Sequence, residues 1–140
     1  RIDAERNLAA YRELSTAMSG GLVASAHDCS DGGLAVALAE CCFGADAGAS
    51  VTINGLWSDC EHLDTWGALF GESLGRILVS IRPEDCEAFE ATMADHSCHL
   101  LGAVIPGDAI TFFHNGETAL VASMSSLRDA WKGTLDGGAS

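Results

Sequence analysis

Positive charge is scarce in this sequence: seven lysines and arginines stand against twenty aspartates and glutamates, a formal net charge of -13 at pH 7. Such a surface repels phosphate backbones, which argues against nucleic acid as a partner. It also attracts a small anion poorly from a distance, so local backbone dipoles, a metal ion or another domain would have to supply the positive field. Between Arg12 and Arg82 the only fixed positive charge is Arg76. Long apolar runs are missing too. None approaches the roughly 18 residues that cross a bilayer, and no basic start leads into an apolar signal segment, so the expectation is a soluble, cytoplasmic chain with no membrane partner. No C-x-x-C occurs among the six cysteines (Cys29, Cys41, Cys42, Cys60, Cys86 and Cys98). Cys60-x-His62 and the adjacent Cys98-His99 each offer two metal ligands, but neither has a second pair at zinc spacing. Most of the cysteines sit among apolar neighbours in a chain that is not small, which favours free buried thiols over disulfides. There is no Walker-type loop and no Ser/His/Asp or Cys/His arrangement assignable from spacing. His62, His96, His99 and His114 are read as structural.

What is present fits one domain of 140 residues without a linker. Helical periodicity begins within a few residues of Arg1, so the expectation is a piece of a longer chain. Leu8, Tyr11, Leu14 and Met18 recur at helical spacing over residues 3–19, and Gly20-Gly21 end that helix. A short strand over 23–28 runs into a helix that Ser30 or Asp31 can cap, ending near Phe43 at Gly44. A strand over 49–53 follows. Ser58-Asp59 then opens a helix carrying Leu63, Trp66, Leu69 and Phe70 toward a core. "GRILVSI" is a strand by its branched content, and "PEDCEAFEATMADH" an amphipathic helix with Pro83 and acids in its opening turn. "CHLLGAVI" and "AITFFHNGETALVA" give three more strands, with Asn115-Gly116 as a two-residue hairpin turn. Ser125 can cap a last helix through Trp131 and Leu135, leaving 136–140 as a loose end. Crossovers together with a hairpin require a mixed sheet, hence an α/β sandwich.

Two stretches carry candidate chemistry. In "SAHDCSDGGLAVALAE", residues 25–40, the helix has Glu40 as its only charge after the cap, so it must be covered all round, by a second layer of helices or by a further domain. At its amino end Gly32 and Gly33 leave backbone N–H groups able to face a ligand, with the helix dipole adding positive charge; phosphate suits such a place. Asp28 and Asp31 would repel phosphate unless they bind a metal, accept hydroxyl protons or cap the helix. The plain alternative is an N-cap at Ser30 or Asp31 and a tight glycine turn. His27 is either an acid or base or a hydrogen-bonded structural group. In "LFGESLGRILVS", residues 69–80, Glu72 and Arg76 are four apart, but Gly71 and Gly75 argue for a helix end, a turn and a strand start. Glu72 can be a site carboxylate and Arg76 an oxyanion or phosphate clamp, or the two can form a salt bridge that secures the turn.

Together with "LLGAVI" and the closing "SSLRDAWKGTL", these motifs resemble the C-terminal domain of phosphoribosylformylglycinamidine synthase, over essentially the whole chain. Looser forms of the first motif mark the wider AIR synthase-related superfamily, which includes aminoimidazole ribonucleotide synthetase and thiamine-monophosphate kinase. The resemblance implies a three-layer α/β/α sandwich with a mixed sheet, partly ferredoxin-like. It implies a part in ATP-dependent amidation of formylglycinamide ribonucleotide in purine biosynthesis. A separate N-terminal half would hold most of the ATP and Mg²⁺ machinery, and a glutaminase component would supply ammonia. By position, His27, Asp28, Ser30, Asp31, Gly32 and Gly33 form the loop facing the phosphorylated ribonucleotide substrate, with Glu72, Ser73 and Arg76 as a second motif of less defined role. Cys29, where relatives often carry an aliphatic or hydroxyl residue, is read as packing variation. No metal ligand and no catalytic residue is assigned to the isolated domain, which is expected to be inactive and, through its apolar helix, to self-associate. The alternatives are a domain of another ATP-using member of the superfamily, against which "LFGES" and "WKGTL" argue, and a non-catalytic acidic assembly module.

Overall fold

Apolar residues recurring every third or fourth position, then every second, divide the chain into α1 (Ala4–Ser19), β1 (Ser25–Asp28), α2 (Gly33–Ala45), β2 (Gly48–Thr52), α3 (Thr65–Phe70), β3 (Ile77–Ser80), α4 (Cys86–Thr92), β4 (Gly102–Ile105), β5 (Ala109–His114), β6 (Glu117–Ser123) and α5 (Met124–Leu135). A 3₁₀ turn, Pro83–Asp85, leads into α4. This computed structural model describes residues 4–54, 56 and 64–135. The chain forms two compact units, one of Arg1–Asp31 with Glu72–Leu100 and the other of Gly32–Gly71 with Leu101–Ser140. The α/β class and the mixed sheet expected from the sequence are both present.

The first unit pairs β1 with β3 antiparallel, Ser25 opposite Ser80 and Asp28 opposite Ile77. Its core is Leu14 and Ala17 of α1 against Phe89 and Met93, with Leu22, Val23, Val79 and Ile81 packed around them. The buried stripe of α1 is narrower than its periodicity suggests: Leu8, Tyr11 and Met18 stay largely exposed. Arg82 ties two loops together, donating from Nη2 to the Gly21 carbonyl at 2.8 Å and pairing with Asp85 at 2.7 Å. The helix expected through 83–96 ends sooner, at Thr92.

The second unit is built on a four-stranded sheet in the order β4-β2-β5-β6, in which β2 and β5 run parallel and the outer pairs antiparallel. The parallel pair needs a crossover, and α2 packs on α3 within the same unit. Alternation places Ala49 and Val51 of β2 and Ile110 and Phe112 of β5 in the core; Phe112, Ile110, Leu69 and Met124 are its largest fully buried side chains. Asn115 and Gly116 both have positive φ, as the two-residue turn demands, and Asn54 accepts from the Asn115 backbone N–H at 2.9 Å to hold it. His114 is structural, its Nδ1 2.7 Å from Thr65 Oγ1. Trp66 and Phe70, expected in the core, are instead partly exposed and stack on each other with centroids 6.1 Å apart; only Ala68 and Leu69 of α3 are buried.

Several boundaries differ from expectation for local reasons. Helix α2 runs past Gly44 to Ala45 and stops where Asp46 takes a left-handed conformation. The cap of α3 is Asp64, which accepts from the Gly67 N–H at 2.8 Å; the expected start at Ser58-Asp59, like Leu63 and the pair Cys60 and His62, lies outside the described residues. The cap of α5 is Ser123, whose Oγ accepts from the Ser126 N–H at 3.2 Å, while Ser125 inside the first turn bonds to Asp108 through both N–H and Oγ. The expected loose end, 136–140, also lies outside the described residues. Among the described cysteines all are free thiols, but only Cys29 and Cys42 are fully buried and Cys98 is exposed. No helix of the described residues is long and apolar enough to cross a membrane.

Helix α2 buries seven of its thirteen residues within the chain as it stands and contacts both α3 and α5, so a second helical layer provides cover that the sequence alone left open to a further domain. Its carboxyl end is fastened by Arg128 of α5, which donates to the Phe43 carbonyl at 3.2 Å and pairs with Asp46 at 2.9 Å. Asp46 is exposed, so the pair is screened and the carbonyl bond carries most of the effect. Arg128→Ala is expected to lower the unfolding free energy by about 1 kcal/mol, read as a lower urea midpoint; an unchanged midpoint contradicts this fastening.

Candidate functional site

The first motif begins on β1. Because β1 and β3 are antiparallel with His27 opposite Leu78 and Asp28 opposite Ile77, the second motif's strand lies beside the first. The Cys29 N–H extends the ladder by donating to the Arg76 carbonyl at 3.0 Å. The structure thus brings His27, Asp28 and Cys29 together with Arg76 in the first unit. Ser30, Asp31, Glu72 and Ser73 are exposed in the same unit, and Gly32 and Gly33 open the second. Glu72 to Arg76 is a turn between α3 and β3, as the two glycines imply; Gly75 has φ +88° and sits against Asn7 and Tyr11 of α1.

Each polar group has its own setting. His27 is half-buried, its Nδ1 2.7 Å from the Asp28 carbonyl oxygen and 3.9 Å from the Asp28 carboxylate. The exposed Asp28, Ser30 and Asp31 are open to solvent. Arg76 is half-buried, with Nε and Nη2 shielded from solvent. Cys29 is buried, and burial pushes its thiol above the ordinary value; the Arg76 charge opposes this, the Asp28 charge adds to it, and the Leu78 backbone bond opposes it more weakly. Burial wins, so Cys29 is a protonated packing group at neutral pH and not a nucleophile.

Neither Ser30 nor Asp31 caps α2. The N-cap is Gly32, left-handed at φ 78°, ψ 3°, and no side chain caps the helix. Two left-handed residues in succession, Gly32 and then Gly33 at φ 66°, turn the chain into α2. Gly33 is buried, and a Cβ there would lie 2.8 Å from the Phe70 carbonyl carbon and 2.9 Å from the carbonyl oxygens of Leu69 and Gly71. The missing side chain at Gly33 is therefore required by the approach of α2 to the end of α3. A branched residue at this position would report on that packing before it reported on any ligand. Among the described residues no group of three or more His, Cys, Asp and Glu side chains could hold a metal ion.

Gly33→Ala combines a left-handed φ with this collision, and a loss of about 2 kcal/mol or more is expected, measured by thermal melting; a melting point equal to that of the parent would show that α3 gives way. The raised Cys29 value sets a sign for alkaline pH. The neutral thiol is favoured in the fold, so its contribution is intact below the unfolded-chain value and is lost as pH rises through the higher folded one. Urea midpoints at about pH 7 and about pH 10 are expected to fall less in Cys29→Ala than in the parent; an equal fall in both removes Cys29 from the account.

Comparison with known proteins agrees with this architecture. Solved structures superpose on the chain: T. maritima PurL complexed with FGAR at TM-score 0.82, with 19% identity, covering 90% of this chain and 21% of that one. T. maritima PurL complexed with ATP gives 0.77 at 19% identity, covering 84% and 21%. A phosphoribosylformylglycinamidine synthase II from Thermotoga maritima gives 0.81 at 19% identity, covering 90% and 22%. The chain thus spans about a fifth of the length of these structures and shares their fold over that part. The family model described as AIR synthase related protein, C-terminal domain, matches residues 2–115. With the match extending over most of its length, the chain belongs to the AIR synthase-related C-terminal domain family.

Proposed function

We propose that this chain is the C-terminal domain of an ATP-dependent formylglycinamide ribonucleotide amidotransferase of purine biosynthesis, and that residues 27–33 supply the substrate-facing loop of its cleft. Family membership and the fold shared with PurL bound to FGAR and to ATP support the reading. The observation that carries it is the start of α2: a helix of thirteen residues whose first turn has no side-chain cap, preceded by exposed Asp28, Ser30 and Asp31. N–H groups at such a terminus stabilise an anionic group, and the hydroxyl and carboxylates beside them can hold ribose or amide hydrogens.

In this reaction ATP phosphorylates the amide oxygen of the substrate, and ammonia from a glutaminase component displaces the phosphate. The first turn of α2 would offer backbone donors, with Gly32 and Gly33 setting its direction; Asp28, Ser30 and Asp31 would orient polar hydrogens; His27 would position Asp28. Glu72, Ser73 and Arg76 would border the loop, Arg76 being the one fixed cation of the second motif. On this reading ATP and Mg²⁺ are held chiefly by an N-terminal half of the same protein, and the net charge of -13, which suits a polyphosphate poorly, supports that division.

The test follows backbone amide resonances of the chain during titration with formylglycinamide ribonucleotide. Shifts concentrated at residues 28–35, partly reproduced by ribose 5-phosphate, are expected; shifts confined to other regions, or none at millimolar ligand, remove the loop assignment. The isolated chain supplied with substrate, ATP and ammonia is expected to form no amidine, and turnover would overturn the division of labour between halves.

A further inference from the structure

Within the second unit, α2, the end of α3, β5, β6 and α5 line a half-open cavity of about 200 Å³ that shares no residue with the 27–33 loop. Its lining has two features. Four aromatic residues, Phe43, Phe70, Phe112 and Trp131, contribute to it, and Glu40 is its single charged group; the remaining lining residues are aliphatic. Their convergence follows from spacing. Val36, Glu40 and Phe43 fall on one face of α2, Leu127 and Trp131 are four apart on α5, and Phe112 points inward from β5. Phe43 and Trp131 meet with centroids 6.1 Å apart and planes tilted by 49°. Trp131 is 51% exposed and Phe70 43%, so the aromatic wall reaches the surface and a ligand can enter.

This lining selects against most ligand classes. An anion finds no basic residue there and a carboxylate that repels it. A neutral polar molecule would lose its hydrogen bonds to water with few replacements. A second copy of this chain brings another net charge of -13. A cation whose charge is spread over methyl groups has no hydrogen bonds to lose, is held by aromatic faces, and is drawn by the carboxylate and by the acidic surface around it. The volume suits a compact molecule, since an apolar cavity of about 150 Å³ already accepts benzene. We infer that this cavity is a binding site for a quaternary ammonium group of about the size of the choline head, held by the accessible rings of Phe43, Phe70 and Trp131 above the buried Phe112 and neutralised by Glu40.

Choline is titrated into the folded chain while the Trp131 indole N–H resonance is followed, with dimethylbutanol, the uncharged carbon isostere of choline, as the matched control. Saturable choline binding in the millimolar range, with the isostere about tenfold weaker, is expected. Glu40→Gln, a shape-preserving change at an exposed position, and Trp131→Leu are each expected to weaken binding about tenfold while the remaining amide spectrum stays in place. A trimethyllysine peptide binding more tightly than choline would locate the group on a protein tail; the reverse would locate it on a free small molecule. Equal binding by the isostere, no saturable shift, or parental affinity in Glu40→Gln overturns the assignment.

Discussion

The entry into α2 is the constraint on which the second unit depends. Two consecutive left-handed residues redirect the chain, and the second lies so close to the carbonyls ending α3 that no side chain fits between them. Only glycine meets both conditions at once. With that approach fixed, α2 can seat Leu34, Ala35, Leu38, Ala39 and Cys42 in the interior. Its far end then meets Arg128 and Trp131 of α5. The aromatic cavity and the candidate substrate loop are thus opposite products of one helix: its side chains build the former and its uncapped amino terminus the latter.

Charge divides the chemistry in the same way. A chain with twenty acidic and seven basic residues is poorly suited to hold a polyphosphate by itself. Of its cations, Arg82 and Arg128 are committed to loop and helix-end carbonyls and nearby carboxylates. Arg76 stands beside the first motif because its carbonyl accepts from Cys29, which makes the β1-β3 ladder the route by which two separated sequence motifs are brought together. The buried thiol between them stays protonated, so it contributes volume and not reactivity.

Much of this was legible in the sequence where local chemistry acts alone. Asn115-Gly116 gave the hairpin because its turn requires positive φ at both positions, and Gly71 and Gly75 correctly broke Glu72 and Arg76 out of a helix. Capping was less legible. Ser30, Asp31 and Ser125 are good capping residues by type, yet the caps fell to Gly32 and Ser123, because the α2 turn is set by tertiary approach and Asp108 engages Ser125. Burial on short helices was also misjudged: in α3 Trp66 and Phe70 share an outward face, while Leu69 takes the interior. The reason for Gly33 lay beyond any single-sequence signal, since the colliding atoms are backbone of residues far along the chain. Glu40 was visible as a lone acid on an apolar helix, but apart from Phe43 its aromatic neighbours come from three other elements that only the folded sheet assembles.

The parallel pairing of β2 with β5 has a consequence for biosynthesis. Residues 48–52 wait for residues 109–114, and the intervening stretch includes Glu72–Leu100, which belongs to the other unit. A nascent chain leaving the ribosome therefore holds both halves of the unit formed by Arg1–Asp31 and Glu72–Leu100 before the four-stranded sheet has its central partner. Until β5 emerges, the apolar side of α2 must be shielded by other means, which makes this interval the one in which chaperone capture or premature clumping competes with maturation.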